Sequence, residues 1–112
     1  MSIQTEDEIR LQNHVVSIAE DLNNEELGEN EEGESASYFD YVLEALDLQY
    51  IINADKSFRS GKILVCFGGP NIWVNTDTGK VEGYWWGDYA EADLNKYAIE
   101  QLDAVLEELY NC

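Results

Sequence analysis

The sequence predicts an α+β domain in the order α-α-β-β-β-β-α, a four-stranded antiparallel meander with helices packed on it. Three observations point there. Two early capping-box pairs each precede apolar residues at helical spacing, the period turns to alternation at Leu48, and a helical stripe returns after Asp93. At 112 residues the chain fits one domain, 1–112, with one core.

Thr5 and Glu8 open the first helix, which carries Leu11, Val15, Ile18 and Leu22 on one face and ends near Leu22. The next stretch, 23–36, is acidic, broken by glycine and poor in apolar residues, so a mobile linker is expected. Ser37 and Asp40 open a short second helix in which Phe39, Val42, Leu43 and Leu46 share a face. Leu48, Tyr50 and Ile52 alternate in the first strand, which stops at Asn53-Ala54-Asp55. Strands are expected at 62–67, 72–75 and 80–86, separated by the turns Gly68-Gly69-Pro70-Asn71 and Thr76-Asp77-Thr78-Gly79. Gly68 and Gly79 are the candidates for positive φ. The last helix starts near Asp93, with Ala98, Leu102, Val105 and Leu109 on a stripe that Ile99 and Leu106 broaden.

Two pairings set the expected register. With Val74 facing Val81 and Cys66 facing Ile72, one sheet face holds Leu64, Cys66, Ile72, Val74, Val81 and Gly83. The other holds Ile63, Val65, Phe67, Trp73, Tyr84 and Trp86. Most simply the aromatic face is the core beneath the helices, because aromatic side chains are large apolar groups first. Alternatively it is a platform for a partner or a second copy, because Trp and Tyr dominate interface hot spots.

Charge narrows the partners. Twenty-four acids against six basic residues give a net charge of −18, and residues 1–47 alone carry fourteen acids and only Arg10. Such a field repels nucleic acid and anionic membrane and attracts basic proteins. The first twenty residues hold no apolar run of signal or membrane length, and Cys66 and Cys112 make no spaced framework. A reducing, cytoplasmic setting with both thiols free is therefore expected.

Chemistry-bearing motifs are thin. His14, the only histidine, sits between Leu11 and Ile18 as a structural or solvated side chain, and no spacing of His and Cys suits zinc. The glycine turn lacks the lysine and following helix of a phosphate cradle, and residues 75–79 lack the twelfth-position glutamate of a calcium loop. No catalytic residue, metal ligand or cofactor is expected, and the chain reads as a binding protein. Its acids, almost uncompensated at i, i+4, can imitate the phosphate row of a duplex, about one charge per 1.7 Å. The candidate binding residues are Glu6, Asp7, Glu20 and Asp21 on the first helix and Glu100, Asp103, Glu107 and Glu108 on the last. Trp73 and Trp86 join them if the aromatic strands form an interface.

The stretch ILVCFGGPNIWVNTDTGKVEGYWWGDYA, with Cys66, the Gly68-Gly69-Pro70-Asn71 turn and Tyr84-Trp85-Trp86, resembles small acidic proteins of phages and conjugative elements of Gram-positive bacteria. The resemblance covers roughly residues 36–112. The function of that group is uncharacterised; some acidic proteins of such elements inhibit host defence nucleases, as anti-restriction or anti-CRISPR proteins, so the resemblance implies that class and carries over no catalytic residue. The expected function is thus an acidic, non-enzymatic inhibitor occupying the basic cleft of a nucleic-acid-binding protein. The alternative is an interaction module or homodimer that uses the aromatic sheet face.

Overall fold

The computed structural model describes residues 5–112, so the first four residues of the expected 1–112 unit lie outside it. Its elements are α1 (Glu6–Asn23), α2 (Tyr38–Leu43), β1 (Asp47–Ile52), β2 (Phe58–Cys66), β3 (Asn71–Asn75), β4 (Lys80–Trp85), β5 (Asp88–Asp93) and α3 (Lys96–Tyr110). The strands pair antiparallel in chain order, β1-β2-β3-β4-β5. The architecture is α+β, but the sheet has five strands instead of four. The additional strand, Asp-Tyr-Ala-Glu-Ala-Asp, is poor in β-formers, and its turn is disguised. Trp86 and Gly87 have φ of 47° and 85°, the double positive φ of a type I′ hairpin, with tryptophan where asparagine is usual.

The helix starts follow local chemistry. The Thr5 side chain accepts from the Glu8 N–H at 3.1 Å, and Ser37 and Asp40 cap each other reciprocally. Asn95 caps α3 by accepting from Ala98 N–H at 2.8 Å. Its own N–H donates to Asn23 Oδ1 at 2.7 Å, tying the start of α3 to the end of α1.

The two expected pairings occur, Val74 with Val81 and Cys66 with Ile72. The expected faces do not, because a bulge between Leu64 and Cys66 shifts the register of β2. Ile63 therefore joins Val74 and Val81, while Leu64 joins Trp73. The Ile63, Ile72, Val74 and Val81 face is the core, with Leu11, Val15, Ala19 and Leu22 of α1 and Ala98, Leu102 and Leu106 of α3. The chain achieves this closeness at glycine. A Cβ on Gly83 would stand 2.7 Å from Val15 Cγ1, nearer than packed carbons come, so α1 is seated directly on the β4 backbone.

The aromatic face is consequently not the core, and α1 and α3 lie on the opposite side of the sheet. The second helix also turns from expectation. It buries Tyr38 and Val42, while Phe39, Leu43 and Leu46 stay exposed. Tyr38 is held there by a hydrogen bond from its hydroxyl to the Leu22 carbonyl at 2.7 Å. The stretch 23–36, expected as a linker, begins inside α1 and continues as a hydrogen-bonded loop. Asn30 Oδ1 accepts from the N–H groups of Glu32 and Glu34, Glu29 bridges Ser35, and Leu27 packs on the core.

Candidate partner-binding surfaces

The acidic residues are gathered by the ends of the helices. Glu20 and Asp21 stand in the last turn of α1, and Glu107 and Glu108 in the last turn of α3, all exposed. None of the three helices has a basic residue in its last turn. Acids at a helix C-terminus face the negative end of the macrodipole, at a cost of about 0.3–1 kcal/mol each. Among the described residues five of the six basic side chains are occupied elsewhere, Lys56 being the exception. Arg10 pairs with Glu6, Arg59 with Asp77, Lys80 with Glu91 and Asp93, and Lys96 with Glu100, while Lys62 lies 4.7 Å from the Trp73 ring centre.

The loop completes this surface. Glu25 and Glu26 continue directly from Glu20 and Asp21, and Glu29, Glu31, Glu32 and Glu34 follow, all exposed. Beside them a groove of about 540 Å³ is lined by the apolar Ile18, Leu27 and Val65, by Tyr41 and His14, and by the acids Asp21, Glu26 and Glu44. Burial and the nearby Asp21 charge push the Tyr41 hydroxyl up to about 12, so it stays protonated near neutral pH.

The expected site residues therefore do not form one row per helix. Glu6 and Asp7 begin α1, and Glu20 lies thirteen residues beyond Asp7, about 20 Å along the axis. Glu20 and Asp21 instead join the loop acids. On α3, Glu100, Glu107 and Glu108 are exposed, but Asp103 is half-buried beside the β3–β4 turn, with Oδ1 lacking a hydrogen-bond partner. Burial raises its pKa, opposed in part by Thr76 and reinforced by the charges of Glu107 and Asp77. Asp103 thus differs from the other α3 acids in exposure, because that flank of α3 faces the turn at Thr76 and Asp77. The ordering of the loop that carries Glu29, Glu31, Glu32 and Glu34 was not anticipated from the sequence. Its signal was Asn30 between turn-forming glycines, a side chain able to bond its own following backbone.

A second surface lies on the uncovered sheet face. Trp73 pairs with Leu64 and Glu82, and Tyr84 with Tyr89, in adjoining rows. The Tyr89 hydroxyl donates to Glu91 at 2.8 Å and approaches Glu82 at 3.3 Å, and its pKa is raised by burial first and by that hydrogen bond second. At the rim, Trp86 is 86% exposed and Phe67 70% exposed. Trp86 combines this exposure with a left-handed backbone, which costs roughly 1–2 kcal/mol for a residue other than glycine.

Among the described residues no group of three or more His, Cys, Asp and Glu is placed to hold a metal ion. None of their helices is long and apolar enough to cross a membrane. No protein-family model matches the chain, and neither curated proteins nor solved structures give a match.

Proposed function

We propose that this chain is a non-catalytic acidic binding protein that occupies the basic, nucleic-acid-binding cleft of a partner protein, its carboxylates standing where phosphates would lie. The observation that carries this is the placing of acids at helix C-termini, where they oppose the macrodipole, while four of the six basic side chains are held in ion pairs within the chain. A surface serving solubility alone gains nothing from that placement. The resemblance to acidic proteins of mobile elements makes a defence nuclease a suitable partner, with the cytoplasm as the place they would meet.

Capture from a bacterial lysate at low and high salt tests it, followed by affinity measurements on variants. Lysine at Glu26, Glu31, Glu32, Glu107 and Glu108 should weaken binding tenfold or more, mostly through slower association. A specific observation favours a second surface for the same partner, the exposed and strained Trp86 beside an uncovered aromatic sheet. Trp86→Asn suits the turn and leaves the charge intact. If that variant abolishes binding while the charge reversals do not, the aromatic face is the interface and charge mimicry is wrong.

A further inference from the structure

The two edges of the sheet are treated differently. Along β5, α1 reaches over the edge: Gln12 Nε2 donates to the Glu91 carbonyl at 3.3 Å, and Asn23 Nδ2 donates to the Asp93 carbonyl at 3.2 Å. An edge whose carbonyls are already engaged is a poor template for another strand. β1, the opposite edge, has no such side-chain guard, its one irregularity being a bulge between Ile51 and Ile52 at its end. Among the described residues no side chain hydrogen-bonds to the backbone of Asp47–Ile52. The strand contains no lysine or proline, the usual devices against edge pairing. Instead it exposes apolar side chains, with Ile52 at 45% and Tyr50 at 38% exposure, and Leu46 just before it at 63%.

Charge identifies the occupant. Residues 48–62 hold one acid, Asp55, and three bases, Lys56, Arg59 and Lys62, and even with Arg59 paired to Asp77 this hairpin is not negative, in a chain of net charge −18. A basic partner would be drawn to the other side of the molecule, whereas another acidic chain meets least repulsion here. We infer that a second copy of this chain adds to the β1 edge, antiparallel about a twofold axis near Gln49. That symmetry sets Leu46 of each copy opposite Ile52 of the other and Leu48 opposite Tyr50, so the exposed apolar ends cover one another. It also carries Lys56 towards Glu44 and Asp47 of the other copy, opposite charges instead of like ones. The two sheets then run on as one of ten strands, with the loop and helix-end acids left free on both copies.

Sedimentation of the full chain at physiological salt, over a wide concentration range, tests this. The expected mass is twice 12.8 kDa, and the double variant Leu46→Lys, Ile52→Lys should return it to 12.8 kDa. Both side chains are exposed, so the variant should keep the parent's circular dichroism and melting behaviour. Trp86→Ala should stay dimeric. Amide exchange gives a second readout, since protection of the outward-facing Leu48 and Tyr50 amides should rise with concentration in the parent and not in the double variant. A parent monomeric up to about 1 mM overturns the inference. So does a dimer that the double variant does not split, or one that Trp86→Ala does. Because this edge is separate from the acidic surfaces, the double variant should still bind a basic partner, and its failure to dimerise says nothing against charge mimicry.

Discussion

At Asp103, burial works against charge. Its carboxylate looks like one of a surface series in the sequence, three residues from Glu100 and four from Glu107, because spacing reports the helix face and not what lies beside it. The β3–β4 turn shields it, and its pKa rises above the ordinary carboxylate value through burial first. The sign follows. A raised folded-state pKa favours the protonated form, so the stability it confers is complete at acid pH and is lost as pH rises through the folded pKa. Asp103→Asn should therefore raise Tm at pH 7 by about 2 °C, roughly 0.5 kcal/mol once solvent screening of a half-exposed group is allowed for. The gain should fade below about pH 4, where the parent carboxylate is itself neutral. Thermal melts of both proteins from pH 3 to 7 would show it, and a variant no more stable at pH 7 would mean that the ionised carboxylate makes a needed contact.

Among the elements, those governed by near neighbours were legible. The caps at Thr5 and Ser37, the apolar stripes of α1 and α3 and both expected pairings could be read because each depends on residues a few positions apart. Three features were not. The bulge after Leu64 inserts one residue with no compositional mark and exchanges the faces of half a strand. β5 follows a turn whose first central residue is tryptophan, and α2 buries Tyr38 in place of Phe39 because a hydroxyl can meet the Leu22 carbonyl. Of the site, the sign of the charge was legible and its grouping was not, since Glu20 and Asp21 gain their neighbours only when the loop folds back. The helix ends supply a prediction at this scale. Replacing Glu107 and Glu108 by lysine puts positive charge at the C-terminus of α3 and gives Asp103 an opposite charge one turn away, so stability should rise by about 0.5–1 kcal/mol. Urea denaturation measures this, and a loss of stability would remove the inference that these acids are kept against the preference of the helix.

Over the whole molecule, the net charge of −18 is spread through a body with a radius of gyration of 14.7 Å. At about 10 mM salt the screening length, roughly 30 Å, exceeds that radius, and every carboxylate repels every other. At about 0.5 M it is only a few ångströms, and repulsion survives only between immediate neighbours. The few ion pairs are largely exposed and contribute little at any salt, so their screening cannot offset the relief. Tm should therefore rise by several degrees from 10 mM to 0.5 M sodium chloride, opposite to a fold held by surface ion pairs. Binding should respond in the other sense. The charge that opposes folding is, on the proposed function, the charge that attracts the partner, so the same salt increase should weaken affinity tenfold or more. Calorimetry of the free chain and titration of the complex across one salt series measure both slopes. A Tm that falls with salt would show that the acids stabilise the fold through contacts of their own. An affinity that holds while Tm rises would leave the acids as a solubility device and move recognition to Trp73, Tyr84 and Trp86, where apolar contact is indifferent to screening.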